Sequence, residues 1–183
     1  MAKVGIVLGS DSDWPVVEPG YRLLLDFGVE TEILVASAHR TPDIVRDFTS
    51  SAREKGIEVL IAAAGAAAHL PGVMAAFTTL PVIGIPISGS SLKGMDALLS
   101  IVQMPAGIPV ATMAIDGGKN AALYAVSILA LKYVHLSERL LDFRAQQAEG
   151  VRKKNKALKE KLEQEDTGQK NNGRTDQEKT PVR

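Results

Sequence analysis

A histidine and an arginine stand side by side at His39-Arg40, within Ser37-Ala38-His39-Arg40-Thr41-Pro42-Asp43. A neutral imidazole has an ordinary pKa of about 6.5, so it can take and return a proton near neutral pH. The neighbouring guanidinium is a planar fork of donors that matches a phosphate. Each residue alone has an ordinary reading, as a structural histidine or a surface charge. Their position favours chemistry. The run Ile33-Leu34-Val35-Ala36 reads as a buried strand, and Thr41-Pro42-Asp43 reads as a helix start, with Thr41 as N-cap and Pro42 at the first helical position. His39 and Arg40 therefore fall in a strand-to-helix loop. In an open parallel sheet ligands bind at that edge, outside the carboxyl ends of the strands.

Two other stretches carry comparable chemistry. Gly9-Ser10-Asp11-Ser12-Asp13 follows an apolar run and precedes a helical one. It can be a plain helix cap with acids near the positive end of the dipole, or a set of N–H groups and hydroxyls that binds phosphate while a carboxylate accepts from a sugar diol. Asp11 beside a phosphate would repel it, so Asp11 is expected to face solvent and Asp13 the ligand. The tract Ala62 to Ala68 can be tight packing, or the wall of a narrow pocket for a small apolar molecule, closed by His69 and the turn Leu70-Pro71-Gly72. His69 is open between ligand contact and hydrogen bonds that hold the loop; His135 reads as a surface residue.

The elements that must position these loops alternate regularly. Strands are expected over Val4 to Leu8, Glu32 to Ala36, Val59 to Ala63, Val82 to Ile85 and Val110 to Ile115. Helices are expected over Trp14 to Phe27, Pro42 to Lys55, Pro71 to Thr79, Met95 to Val102 and Lys119 to Lys132, with Gly28 and Gly56 at helix ends. A long polar helix runs from Leu136 to about Gln164. This rhythm specifies an α/β three-layer sandwich with a flavodoxin-like parallel sheet and a long C-terminal helix. A strand order of 2-1-3-4-5 makes the first three strands neighbours, so their loops share one crevice. Residues 1–164 are read as a single domain and 165–183, almost without apolar residues, as a disordered polar tail.

Composition removes several function classes. The 183 residues are 45% hydrophobic, enough for one proper core. Lys+Arg and Asp+Glu balance at 21 each, so no basic field attracts nucleic acid. Cysteine is absent, which excludes disulfides and thiolate chemistry and suits a reducing compartment. No run approaches the roughly 18 apolar residues of a membrane span, and the first residues read as a strand, not a signal peptide. A cytoplasmic protein without nucleic-acid or membrane partners is expected. Gly65 to Gly72 lacks Gly-x-Gly-x-x-Gly spacing, no P-loop occurs, and the histidines have no ligand cluster around them, so neither metal nor organic cofactor is expected. A phospho-receiver domain shares the fold class, but its paired acids, central Asp and later Lys are not placed here.

Four collinear motifs resemble the class I PurE family of bacterial purine biosynthesis. They are Gly9-Ser10-Asp11-Ser12-Asp13-Trp14, Ser37-Ala38-His39-Arg40-Thr41-Pro42-Asp43, Ala67-Ala68-His69-Leu70-Pro71-Gly72 and Ser100-Ile101-Val102-Gln103-Met104-Pro105, within a resemblance from about Val4 to about Tyr133. The resemblance implies conversion of N5-carboxyaminoimidazole ribonucleotide (N5-CAIR) to 4-carboxyaminoimidazole ribonucleotide (CAIR), without a cofactor, by an octamer. It also implies a functional link to the ATP-dependent N5-CAIR synthetase, although no docking motif is visible. The related class II carboxylates aminoimidazole ribonucleotide directly; it typically has Lys after the histidine and lacks the His-Leu-Pro-Gly turn, so Arg40 and His69 to Gly72 point to class I. By matching motif, His39 is the proton carrier and Ser10, Asp13 and Arg40 bind substrate. Ser12 and Ser37 support the phosphate and loop, while Gly65, Ala66, His69 and Leu70 line the confined space for carbon dioxide.

One departure separates this chain from the pattern. The family usually has Gly-Ala-Gly-Gly-Ala-Ala-His where Ala63-Ala64-Gly65-Ala66-Ala67-Ala68-His69 stands here. An alanine at 66 would be strained by roughly 1 to 2 kcal/mol if the loop requires positive φ. A homologue that binds nucleotide with weak or no turnover, and a direct carboxylase, are the alternatives to the mutase.

Overall fold

The computed structural model describes residues 1–172, with side chains through 164. Five strands form one parallel sheet: β1 Lys3–Leu8, β2 Glu30–Val35, β3 Val59–Gly65, β4 Val82–Ile87 and β5 Ala111–Thr112, in the expected order β2-β1-β3-β4-β5. Helices α1 Trp14–Asp26, α2 Pro42–Ser51, α3 Leu70–Ala76, α4 Met95–Val102 and α5 Gly118–Leu129 connect and cover them, and α6 spans Val134–Asn172. The chain divides into two compact units, Met1–Arg139 and Leu140–Arg183. The second is helical from Leu140 to Asn172; the last part of the expected tail, 173–183, lies outside the described residues.

Position in the sheet decides burial: Ile33 to Val35, read from the sequence as part of a buried strand, lie on an edge strand and are not buried, with Val35 52% exposed. β4 is buried along its whole length and β3 in all but Gly65, as continuous apolar runs in a doubly covered sheet must be, whereas edge strand β2 is half exposed. The helices α1 and α5 approach through glycine. A methyl group on Gly20 would meet the Gly118 carbonyl oxygen at 2.4 Å, and one on Gly118 would meet that of Val16 at 2.1 Å. Gly28, with φ of 72°, stops α1 as anticipated, whereas α2 ends at Ser51, short of the expected Lys55, and Gly56, with φ of 78°, closes the turn that follows it. The following Val29 and Ile57 N–H groups donate five residues back, to Leu24 and Ala52, satisfying carbonyls at the helix ends.

β5 is much shorter than the expected Val110 to Ile115, and Pro86 accounts for it. Gly84 and Pro86 turn their carbonyls toward β5, accepting from Met113 and Asp116 at 2.9 Å. On that side Pro86 has no N–H to donate, so the ladder ends after Thr112.

Candidate active site

At the carboxyl edge of the sheet a cleft of about 430 Å³ opens among the loops after the first four strands. The loop after β1 contributes Ser10, Ser12 and Asp13; the loop after β2 contributes Ser37, His39 and Arg40; the end of β3 and its loop contribute Gly65, Ala66 and, at the start of α3, Leu70. The structure thus gathers nine of the ten residues singled out above. His69 does not line the cleft. Its Nδ1 lies 2.9 Å from His39 Nε2, with the rings edge-on at 77°.

Residues 11–13 form one 3₁₀ turn capped reciprocally. Ser10 Oγ accepts from the Ser12 N–H, and Asp13 Oδ2 accepts from the Ser10 N–H at 3.1 Å. The two serine hydroxyls are 2.9 Å apart. Asp13 is buried and faces the cleft, while Asp11 is exposed and outside its lining, as their chemistry demanded. Burial pushes the Asp13 carboxyl above its ordinary value, against the hydrogen bonds from Ser10 N–H and the Ser12 hydroxyl, and repulsion from Asp11 adds to the rise.

The histidine loop is held differently from the expectation. Thr41 occupies the N-cap position of α2, but its side chain makes no cap bond. Its hydroxyl turns back instead, accepting from the Ser37 N–H at 2.9 Å and donating to the Ser37 carbonyl at 3.2 Å. Ser37 Oγ in turn accepts from the N–H groups of His39 and Arg40, both at 3.3 Å. Arg40 is exposed, touches the Gly9 carbonyl at 3.5 Å and has no acidic partner among the described residues. A lone cation beside hydroxyls is suited to an anion.

Between His39 and His69 one hydrogen bond needs one donor and one unprotonated acceptor. If His39 is the charged ring, Nε2–H donates to His69 and Nδ1–H is left to give.

Ala66 has φ of 50°, in the left-handed region. Its carbonyl accepts from the Ala68 N–H, and Ala67 does the same for His69, so the tight turn presenting His69 is built on this alanine. Sequence reasoning missed Ile87 and Gly89, which line the cleft from the fourth strand's end. The signal was present: β4 neighbours β3, and Ser88-Gly89-Ser90-Ser91 follows it.

The model of the AIR carboxylase family matches residues 3–150, four-fifths of the chain. The chain belongs to this family. Among relatives, the N5-carboxyaminoimidazole ribonucleotide mutase of Pyrococcus abyssi is 58% identical over 144 residues, covering 79% of this chain and 83% of that protein. The protein of the same name from Thermotoga maritima is 48% identical over 160 residues, covering 87% and 94%. Of solved structures, a variant of Treponema denticola PurE2 superposes with a TM-score of 0.76 at 28% identity, over 86% of this chain and 99% of that one. Treponema denticola PurE, also 28% identical, covers 82% and 94% with a TM-score of 0.74. The four motifs pointed to the family that the match establishes. Among the described residues no helix is long and apolar enough to cross a membrane.

Proposed function

We propose that this protein converts N5-CAIR to CAIR in purine biosynthesis by moving a carboxyl group from the exocyclic nitrogen to C4. The observation that carries the reading is that every cleft residue, Gly9 to Gly89, lies inside the family match, while relatives 48 to 58% identical bear the mutase name.

The cleft's chemistry fits the reaction. Arg40, Ser10, Ser12 and Ser37 hold the phosphate, and Asp13 accepts from the ribose hydroxyls. Protonated His39 gives a proton to the nitrogen as the carbamate carbon–nitrogen bond breaks, releasing carbon dioxide and leaving a free amine. The electron-rich C4 then attacks carbon dioxide, and His39 takes the C4 proton, restoring the aromatic ring and its own charge. The proton count closes. Gly65, Ala66 and Leu70 confine carbon dioxide while the phosphate and ribose contacts keep C4 within attacking distance. His69 acts through His39 by fixing the ring and accepting from Nε2–H. No organic cofactor or metal enters this scheme.

The assembly belongs to the same proposal. Met95, Leu99 and Val102 recur on one face of α4 and are each 50% exposed. Such a face supports a homo-oligomer, and the resemblance makes it an octamer; the functional link to the synthetase and the cytoplasmic location follow from the same reading.

The test incubates freshly made N5-CAIR with the protein, with and without a carbon dioxide scavenging system, and follows CAIR directly. Product formed at a rate insensitive to scavenging is the expected result. Product that appears only from aminoimidazole ribonucleotide plus bicarbonate would favour direct carboxylation, the second reading that the family description supports. No product above the protein-free control would mark a binding-only homologue and direct attention to the strained Ala66.

A further inference from the structure

The family match stops at residue 150, but α6 continues to Asn172. From Leu141 onward this helix carries a seven-residue pattern. Leu141, Ala148, Asn155 and Leu162 recur every seventh position, and Arg144, Val151 and Leu158 stand three residues after the first three of them. Alternating steps of three and four align these residues in one narrow stripe. Its large apolar members are uncovered: Leu141, Val151, Leu158 and Leu162 are 66, 66, 57 and 52% exposed.

The charged residues that flank the stripe are all cations. Arg152 and Lys159 flank it on one side, Lys154 and Lys161 on the other. The acids of the same stretch, Asp142, Glu149, Glu160 and Glu163, all fall on the outer face. Arg152 is 3.6 Å from Glu149, and Lys156 is 3.8 Å from Glu160, pairs that support the helix itself. Lys154 and Lys159 have no acidic partner among the described residues.

We propose that α6, from Leu141 to Gln164, is a docking helix for an acidic amphipathic helix of another protein, the two pairing as a two-stranded coiled coil. The flanking charges select this occupant. A second copy of the chain would set Lys154 against Lys159 in parallel pairing, or each basic flank against the same basic flank in antiparallel pairing. A glutamate-flanked helix meets the same positions with opposite charge and gives Arg144 a counterion. Asn155 in the seam fits pairing of this kind, where one buried polar residue sets the register. A membrane surface calls for a broad apolar face, which a seam interrupted by Arg144 and Asn155 does not provide.

Fluorescence anisotropy on the full chain tests this with two synthetic peptides of about three and a half heptads. Both carry Leu along the seam and one Asn to face Asn155; one has Glu at every flanking position and the other Lys. The Glu peptide is expected to bind about tenfold or more tighter than the Lys peptide, and to weaken as salt rises. Val151→Asp combined with Leu158→Asp should abolish binding. Arg152→Glu with Lys154→Glu and Lys159→Glu, which preserves helix propensity, should reverse the preference. Binding of neither peptide, or of both equally, overturns the proposal. So does tighter binding to phosphatidylserine vesicles or duplex DNA than to the Glu peptide. A fall in the sedimenting mass of the full chain caused by the Asp pair would show that a second copy is the occupant and overturn it as well.

Discussion

The two ends of the sheet treat their charges in opposite ways. At the amino end Glu32 accepts from Lys3 Nζ at 2.9 Å and Lys55 Nζ at 3.4 Å. Glu58 accepts from Lys132 Nζ at 2.7 Å and the Tyr133 hydroxyl at 2.6 Å. The bond from Lys3 holds the Glu32 carboxyl low, against some burial. Burial pushes Glu58 up, but Lys132 and Tyr133 together outweigh it and keep this carboxyl low too. At the carboxyl end, among the described residues, Asp13 is buried without a cation and raised, while Arg40 is a cation without an acid. One end has matched its charges within the chain, and the other leaves them for something that arrives. Charges already neutralised at home mark structure; those left unmatched around a cleft mark a site.

The largest effect expected from breaking this contrast is at His39. His39→Asn should keep substrate affinity and lower turnover by about 10² to 10⁴, the usual worth of general acid–base catalysis. Unchanged kcat under single-turnover conditions would remove His39 from its role. Next comes Arg40→Met, which deletes a charge-assisted contact worth about 1.5 to 3 kcal/mol and should raise the substrate Kd about ten- to a hundredfold. Titration calorimetry with a phosphorylated analogue and with the corresponding nucleoside checks it, because only the phosphorylated ligand should lose affinity.

The carboxylates sharpen the comparison through pH. Asp13 holds its proton more firmly folded than unfolded, so its contribution favours the fold at low pH and is lost as pH rises through its raised folded pKa. Glu32 and Glu58 act in reverse, stabilising above their unfolded pKa and losing that contribution as pH falls through their lowered folded values. Asp13→Asn should therefore raise the urea midpoint at neutral pH while weakening ligand binding. Glu58→Gln should lower the midpoint with binding intact. If both variants moved the midpoint in one direction, the contrast between the two ends would fail. The smallest effect is at Ala66→Gly: relief of about 1 to 2 kcal/mol of left-handed strain is offset by about 0.4 to 1 kcal/mol of added unfolded-state freedom. A slight net rise in the urea midpoint is expected, and a fall would show that the alanine is not strained.

Much of this was legible in the residues because apolar runs, glycine stops and strand-end motifs report local physics. The opposed positions of Asp11 and Asp13 and the positive φ at Ala66 followed from such local rules, while the strand order followed from the fold class. What was not legible depended on partners distant in sequence. Ladder loss opposite Pro86 shortened β5, and nothing near Val110 announces it. Thr41 has the chemistry of a helix cap, yet the nearby Ser37 backbone offered its hydroxyl two bonds in place of one. The direct bond between His39 and His69, thirty positions apart, required knowing that the loops after β2 and β3 meet across the end of β1, which lies between those strands. Ile87 and Gly89 were missed because the loop after the fourth strand was not counted among the crevice walls.

The ring of bonds between Ser37 and Thr41 has an entropic consequence. Ala38, His39 and Arg40 are enclosed by hydrogen bonds that run from Ser37 to Thr41 and back. Fixing a residue's backbone costs about 1 to 2 kcal/mol. For these three residues that cost falls at folding, long before any ligand is met. An anion reaching Arg40 finds the donors' backbone already in place, so more of its contact energy remains as affinity.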